Sequence, residues 1–302
     1  MNKITRYTGL HAEGKLAILG NKLRHELESC RLCPRDCGAN RLNGEKGICK
    51  TGQKAMVSSY SAHFGEEKPL VGQYGSGTIF FTNCNLLCNF CQNYDISHLG
   101  RGIEVDDNQL AEMMLDLQER GCHNINLVTP THVVPQMVSA LDIAAGMGLH
   151  IPLVFNTGAY DKIDTLKELE GVVDIYMPDF KFWSKKLSGE TCNAADYRER
   201  AAEAIKEMHR QVGNLVLNDE GIAVRGLLIR HLVMPGYAED TRKILSYISG
   251  SVSQNTYVNI MPQYYPCGEV LASETLGRPL KPGEHREAIE YARSLGLNNI
   301  DY

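Results

Sequence analysis

Residues 78–93 read TIFFTNCNLLCNFCQN. The apolar run TIFF leads into Cys84; Cys88 follows four positions on and Cys91 three further. So short a run, rich in β-branched and aromatic residues and stopped by Thr-Asn, predicts a buried strand. The first thiol therefore stands at a strand end.

Outward from this stretch the same rhythm recurs. Apolar runs appear at residues 125–128 (INLV), 152–155 (PLVF), 172–177 (VVDIYM), 226–234 (GLLIRHLVM) and 256–261 (TYVNIM). Helical patterns lie between them, at residues 107–120, 136–147, 161–169, 196–212, 239–249 and 284–295. Leu110, Met113, Met114 and Leu117 show the i, i+3, i+4, i+7 spacing of one helix face. Six strands alternating with helices imply an α/β fold with parallel strands and right-handed crossovers. The sheet is either an open doubly wound one or a barrel, complete or partial. In each case the chemistry belongs at the C-terminal ends of the strands. Thr129 and His132, Asn156 and Thr157, Asp179 and Lys181, and Tyr264 all follow such ends.

Upstream, residues 11–29 predict a helix with Leu16, Leu19, Leu23 and Leu27 on one face. Residues 30–50 form a cysteine-, glycine- and arginine-rich loop, and residues 55–60 a short strand. The expected division is residues 1–75, a helical and cysteine-rich extension, and residues 76–302, the strand–helix array.

The chain of 302 residues is long enough to bury a full core without disulfides. It is 43% hydrophobic and 22% charged, with a net charge of −5 and no run of Lys or Arg. That balance gives no reason to expect nucleic acid or an anionic membrane as partner. The first residues have no apolar core of a secretory signal, and no stretch of 18 apolar residues occurs. The expected compartment is the cytosol. Thiols stay reduced there, so clustered cysteines point to metal or catalysis. Seven of the ten cysteines are clustered: Cys30, Cys33, Cys37 and Cys49, then Cys84, Cys88 and Cys91. Cys122, Cys192 and Cys267 stand alone and read as small buried apolar side chains.

Three thiolates within eight residues can wrap a small cluster but not close it, because a 4Fe–4S site takes four. The iron left open marks a catalytic centre. The bland alternative is a structural zinc, or an electron-transfer cluster with a fourth ligand from elsewhere.

The Cx3CxxC spacing, with Phe90 before the third cysteine, resembles the radical S-adenosylmethionine (SAM) superfamily. The resemblance implies a partial (β/α)6 barrel in which the 4Fe–4S cluster of Cys84, Cys88 and Cys91 binds SAM and splits it reductively to a 5′-deoxyadenosyl radical. It extends towards pyruvate formate-lyase activating enzyme, and most closely to its PflX-like branch. The strings that carry it are CPRDC at 33–37, HFGEEKPL at 63–70, NLVTPTH at 126–132, MPDFKF at 177–182 and IRHLVMPGY at 229–237, beside residues 75–93. On that likeness Lys181 contacts the SAM carboxylate and Asp179 helps hold a cation. Arg230 contacts SAM, and Asn156-Thr157-Gly158 stands where the family carries Asp-Thr-Asn-Gly. Tyr264 replaces a His near the adenosine. The family's Gly-Gly-Glu after the second strand, which binds the SAM amino group, is missing. Thr129, Thr131 and His132 stand in its place, and hydroxyl and carbonyl oxygens can accept from an ammonium.

Cys30, Cys33, Cys37 and Cys49 make a closed set of four soft ligands, for zinc or for a second iron–sulfur cluster. Between the two cysteine groups, His63-Phe-Gly-Glu66-Glu67 offers acid/base groups or hydrogen-bond acceptors for substrate.

The expected activity is therefore hydrogen abstraction by a radical SAM enzyme. Its substrate is either a small molecule or a partner protein with a backbone glycine to activate, and its electron donor is of flavodoxin or ferredoxin type. The reading from another class is a non-catalytic iron–sulfur electron carrier or sensor.

Overall fold

The computed structural model describes residues 5–302. Its strands are β1 (Ala55–His63), β2 (Ser76–Phe81), β3 (Ile103–Val105), β4 (Ile125–Val128), β5 (Leu153–Thr157), β6 (Ile175–Pro178), β7 (Val216–Leu217), β8 (Ala223–Leu232), β9 (Tyr257–Met261) and β10 (Asn299–Asp301). They form one sheet in the order β10-β9-β8-β6-β5-β4-β2-β1-β3, with β7 paired to β8. From β2 to β10 all neighbours along that path are parallel, whereas β1 pairs antiparallel with β2 and β3. The six apolar runs are the six adjacent parallel strands β2, β4, β5, β6, β8 and β9. The fold is α/β with a mostly parallel sheet, consistent with a partial barrel.

Helices connect these strands. The expected face of residues 107–120 is realised in the helix Asp107–Glu119, which buries Leu110, Ala111, Met114 and Leu117. Its start is fixed by a capping box in which Asp106 accepts from the Gln109 amide and Gln109 accepts from the Asp106 amide. Burying a Leu or Met side chain of this kind contributes roughly 1.5–3 kcal/mol.

The N-terminal helix departs from expectation. Instead of one helix over 11–29, the chain forms Arg6–Ala12 and Lys15–His25, then a 3₁₀ turn at Glu26–Ser29. Gly14, at a φ of 71°, makes the break. Lys15–His25 packs on the helix Val134–Gly146, and Gly20 permits the close approach: a Cβ there would stand 3.1 Å from Ser139 Oγ. Tyr7, Leu16 and Leu27 are buried in the same core as Leu110 and Val258. The N-terminal helices and the parallel strands thus share one apolar core. No helix among the described residues is long and apolar enough to cross a membrane.

Strand register aligns the polar residues that follow each strand. Val128 lies beside Asn156, and Asn156 beside Met177. Two residues beyond Met177, Asp179 bridges to Arg230, and Arg230 pairs with Asn259.

Candidate functional site

A cavity of about 300 Å³ opens at the C-terminal ends of these strands. Cys84, Cys88 and Cys91 line it, together with Thr129, Asn156, Thr157, Asp179, Lys181, Arg230 and Tyr264. A larger, more open hollow of about 620 Å³ lies along the helix Pro282–Ser294. It carries no cysteine, so the smaller cavity is the one with the chemistry.

The cysteine loop is tightly turned. Asn83 and Leu87 adopt φ values of 69° and 55°, a left-handed region that non-glycine residues enter only under constraint. The turn aims the Leu86 amide at Cys84 Sγ, 3.3 Å away, and Ser97 Oγ donates to Cys91 Sγ at 3.2 Å. Burial first, then neighbouring Cys88, pushes the Cys84 thiol up to about 12. Such thiols shed their protons when a metal centre takes them.

Cys192 was expected as inert packing, yet its Sγ lies 3.3 Å from Cys88 Sγ. That contact, and then burial, raises the Cys88 thiol above its usual range. Its position in the short helix Lys185–Cys192, which shows no clear apolar period, hid it from sequence reasoning. Cys267 also has a polar role, donating to the Phe90 carbonyl at 3.0 Å. Cys122 is buried in the core as expected.

A chain of charges forms another part of the lining. Arg230 Nε donates to Asp179 Oδ1 at 2.6 Å and Nη2 to Asn156 Oδ1 at 2.7 Å. Lys181 Nζ donates to Asp179 Oδ2 at 2.5 Å. Burial by itself would raise the Asp179 carboxyl, but Arg230 and Lys181 outweigh it and hold the group below the usual range. Lys181 and Arg230 are correspondingly raised against the effect of burial, chiefly by Asp179. The residues 63–67 reach the same network. Glu66 and Glu67 approach Arg230 Nη1 at 3.5 and 3.8 Å, and Asn259 donates to Glu67 at 3.0 Å. Burial raises Glu66 despite the opposing pull of Arg230.

Thr129 has a φ of 60° at the end of β4, and its amide donates to the Asn156 carbonyl. Thr157 and Thr131 both donate to buried Asp161, at 2.7 and 2.6 Å. Tyr264 lines the cavity while its hydroxyl donates to the Leu276 carbonyl at 2.8 Å. His132 does not join these residues. It is buried behind the strand end with Nε2 on the Thr82 carbonyl, and burial and then Arg41 lower it to about 4. Its Nδ1 is buried without a hydrogen-bond partner.

The Cys33–Cys37 segment lies next to this site. Arg35, between Cys33 and Cys37, donates to the carbonyls of Asn85, Leu86, Cys192 and Asn193.

The donor set fits an iron–sulfur cluster with a bound sulfonium amino acid. Three thiols share the cavity with two cations and several oxygen acceptors. Gly158 keeps it open, since a Cβ there would stand 3.2 Å from Leu86 and 3.9 Å from Lys181 Cε.

Residues 78–248 match the Radical SAM superfamily. Over 283 residues the chain is 31% identical to the uncharacterized protein MJ0674 of Methanocaldococcus jannaschii, covering 90% of this chain and 77% of the relative. Two structures of the cobalamin-dependent SAM radical enzyme OxsB, with aqua-cobalamin and with aqua-cobalamin plus SAM, align at a TM-score of 0.41 and 12% identity. The alignment covers 76% of this chain and 33%, about one third, of theirs.

Proposed function

The chain belongs to the radical SAM superfamily, and from that premise we propose that Cys84, Cys88 and Cys91 hold a 4Fe–4S cluster whose fourth iron binds SAM. The observation that carries this reading is that the three thiols share one cavity with Lys181 and Arg230. A cluster and SAM bound there supply one-electron cleavage of the sulfonium and hydrogen abstraction by the resulting 5′-deoxyadenosyl radical.

The chain's own residues bind and orient. Lys181 has three N–H donors and gives one to Asp179, which leaves donors for the SAM carboxylate. Asp179 and Asn156 fix the Arg230 guanidinium, while Nη1 has only the two longer contacts to Glu66 and Glu67 and stays available to an incoming acceptor. Asn156, Thr157 and Thr129 offer oxygens to the SAM ammonium in place of the missing Gly-Gly-Glu. Glu66, Glu67 and Asp179 against Lys181 and Arg230 leave a formal excess of one negative charge. SAM, with one ammonium, one sulfonium and one carboxylate, is a net cation, the sign that a lining of this kind favours. Tyr264 borders the adenosine.

The substrate in this reading is a backbone glycine of a partner protein, as for the activating enzymes that the PflX-like strings resemble. A flavodoxin or ferredoxin-type protein delivers the electron in the cytosol. Residues 76–302 do the chemistry and residues 1–75 support it, with Cys30, Cys33, Cys37 and Cys49 as a second metal site.

The test is anaerobic reconstitution with iron and sulfide, reduction with dithionite and addition of SAM. Methionine and 5′-deoxyadenosine are the expected products, and their absence overturns the reading. A glycyl-radical EPR signal on mixing with a candidate partner supports the activase; its absence across the host's full set of such proteins points to a small substrate.

A further inference from the structure

We propose that Cys30, Cys33, Cys37 and Cys49 hold an iron–sulfur cluster, and not zinc, and that buried Arg41 donates a hydrogen bond to it. This identifies the second metal site and does not depend on SAM chemistry at the first.

The loop is closed on itself before any ligand is considered. The Cys30 amide donates to the Ala39 carbonyl and the Gly38 amide to the Cys30 carbonyl, each at 3.0 Å. This pair returns Cys37 to Cys30, and Cys37 Sγ lies 3.8 Å from the Cys30 carbonyl oxygen. Gly47 lies against the same thiol: a Cβ there would clash with Cys37 Sγ, so a larger residue would displace the thiol. Cys49, two residues later, thereby arrives beside the first three. Cys30, Cys33 and Cys49 are buried and Cys37 is exposed.

Arg41 is the observation that calls for an anion. It is 1% exposed. Nε donates to the Gly52 carbonyl at 2.9 Å and Nη1 to the His132 carbonyl at 2.8 Å, with Cys30 Sγ at 3.7 Å. Nη2 is buried with no partner, and no carboxylate among the described residues pairs with the guanidinium. A buried cation without a counter-charge is strongly unfavourable. Four thiolates around a metal centre supply that charge, and the sulfides of a cluster supply acceptors for the spare N–H.

Spacing along the chain separates the two metals. Structural zinc sites commonly draw their ligands from two separated pairs. Here three cysteines, Cys30, Cys33 and Cys37, fall within eight residues and Cys49 stands apart, the three-plus-one arrangement of cluster-binding loops.

The test uses the full chain with Cys84, Cys88 and Cys91 all changed to Ala, purified without oxygen, and measures iron, acid-labile sulfide and zinc with Mössbauer spectroscopy. Iron and sulfide in equal amounts are expected. One zinc per chain without sulfide, or no metal, overturns the proposal. Should the triple variant fail to fold, loss of iron and sulfide from intact chain on Cys33→Ser decides the question, and no loss overturns it. For Arg41, Arg41→Lys retains the charge but donates differently, while Arg41→Met removes both. Redox titration of the cluster is expected to give a lower potential for Arg41→Met, with Arg41→Lys between it and the unaltered chain. Equal potentials in all three overturn the hydrogen bond. Because the triple variant lacks the SAM site, failure of the proposed function leaves these outcomes unchanged.

Discussion

Arg35 Nε donates to the carbonyl oxygen of Asn85 across 2.8 Å, which ties the Cys33–Cys37 segment to the turn between Cys84 and Cys88. Its other nitrogens reach Leu86, Cys192 and Asn193, so one guanidinium spans the two loops and the helix end beside them. The turn it holds contains two left-handed non-glycine residues, Asn83 and Leu87, which relax when external bonds are lost. Arg35→Ala is expected to destabilise the chain by about 2 kcal/mol, from hydrogen bonds to a charged donor. Arg35→Lys should recover only part, because an ammonium cannot span a fan of four carbonyls. Denaturant unfolding gives the first number, and hydrogen exchange should quicken across residues 83–93. Unchanged exchange there defeats the assignment.

Asp179 stands between two cations, and its loss should be felt by both. Its side chain is 12% exposed and bonded to Arg230 and Lys181. Asp179→Asn leaves two buried positive charges with one fewer partner, at an expected cost of about 3–5 kcal/mol. Adding Lys181→Met removes one unpaired cation, so the double variant should be more stable than Asp179→Asn alone. Urea unfolding of the three variants checks this. Additive losses would show that the pair is not coupled.

The parallel repeat was legible because strands buried on both faces are plain apolar runs, and the helices between them are amphipathic. The strands β3, β7 and β10 have two or three residues each, too few for a period to show. Only part of β1 was legible, since beyond Val57 no position is fully buried and Ser59 and Ser61 are exposed. Site residues directly after strands, such as Asp179 and Asn156, follow from topology alone. What joins them does not: Glu66 reaches Arg230 across 164 positions of sequence, and Cys192 reaches Cys88 from a helix without periodic signal. His132 shows the converse, a residue at a strand end that turns inward because the 3₁₀ turn Thr131–Val133 buries it.

Asp161 should leave a mark on the pH dependence of stability. It is 3% exposed, and burial lifts its carboxyl to about 6 although Thr131 and Thr157 donate to it. In the unfolded chain its value returns to about 3.9. Between those values the folded state keeps a proton that the unfolded state has lost. Stability from this group is therefore full at low pH and falls as pH rises towards 6, by about 3 kcal/mol in all. Asp161→Asn has no such slope. Urea unfolding of both proteins from pH 4 to 7 should show the difference between them shifting in favour of Asp161→Asn as pH rises. Parallel curves would contradict it.

Cys88 and Cys192 should join when the metal-free protein is oxidised. Their sulfurs are 3.3 Å apart, little more than 1 Å beyond a disulfide bond of about 2.05 Å. Glutathione disulfide is a sufficient oxidant: the two thiols lose two protons and two electrons, a new S–S bond forms, and glutathione leaves as two thiols. The raised Cys88 thiol keeps the attacking thiolate scarce, so the reaction should be slow near neutral pH and quicken as pH rises. A cluster held by Cys88 blocks it. Mass mapping of non-reduced digests should find the Cys88–Cys192 link in oxidised metal-free protein and not in reconstituted protein. Cys192→Ser should still take up the iron and sulfide of both cysteine groups after the same oxidation, while the unaltered chain takes up only the share of Cys30, Cys33, Cys37 and Cys49 until it is reduced. Finding Cys88 free, or bonded mainly to Cys84 or Cys91, would sink the prediction.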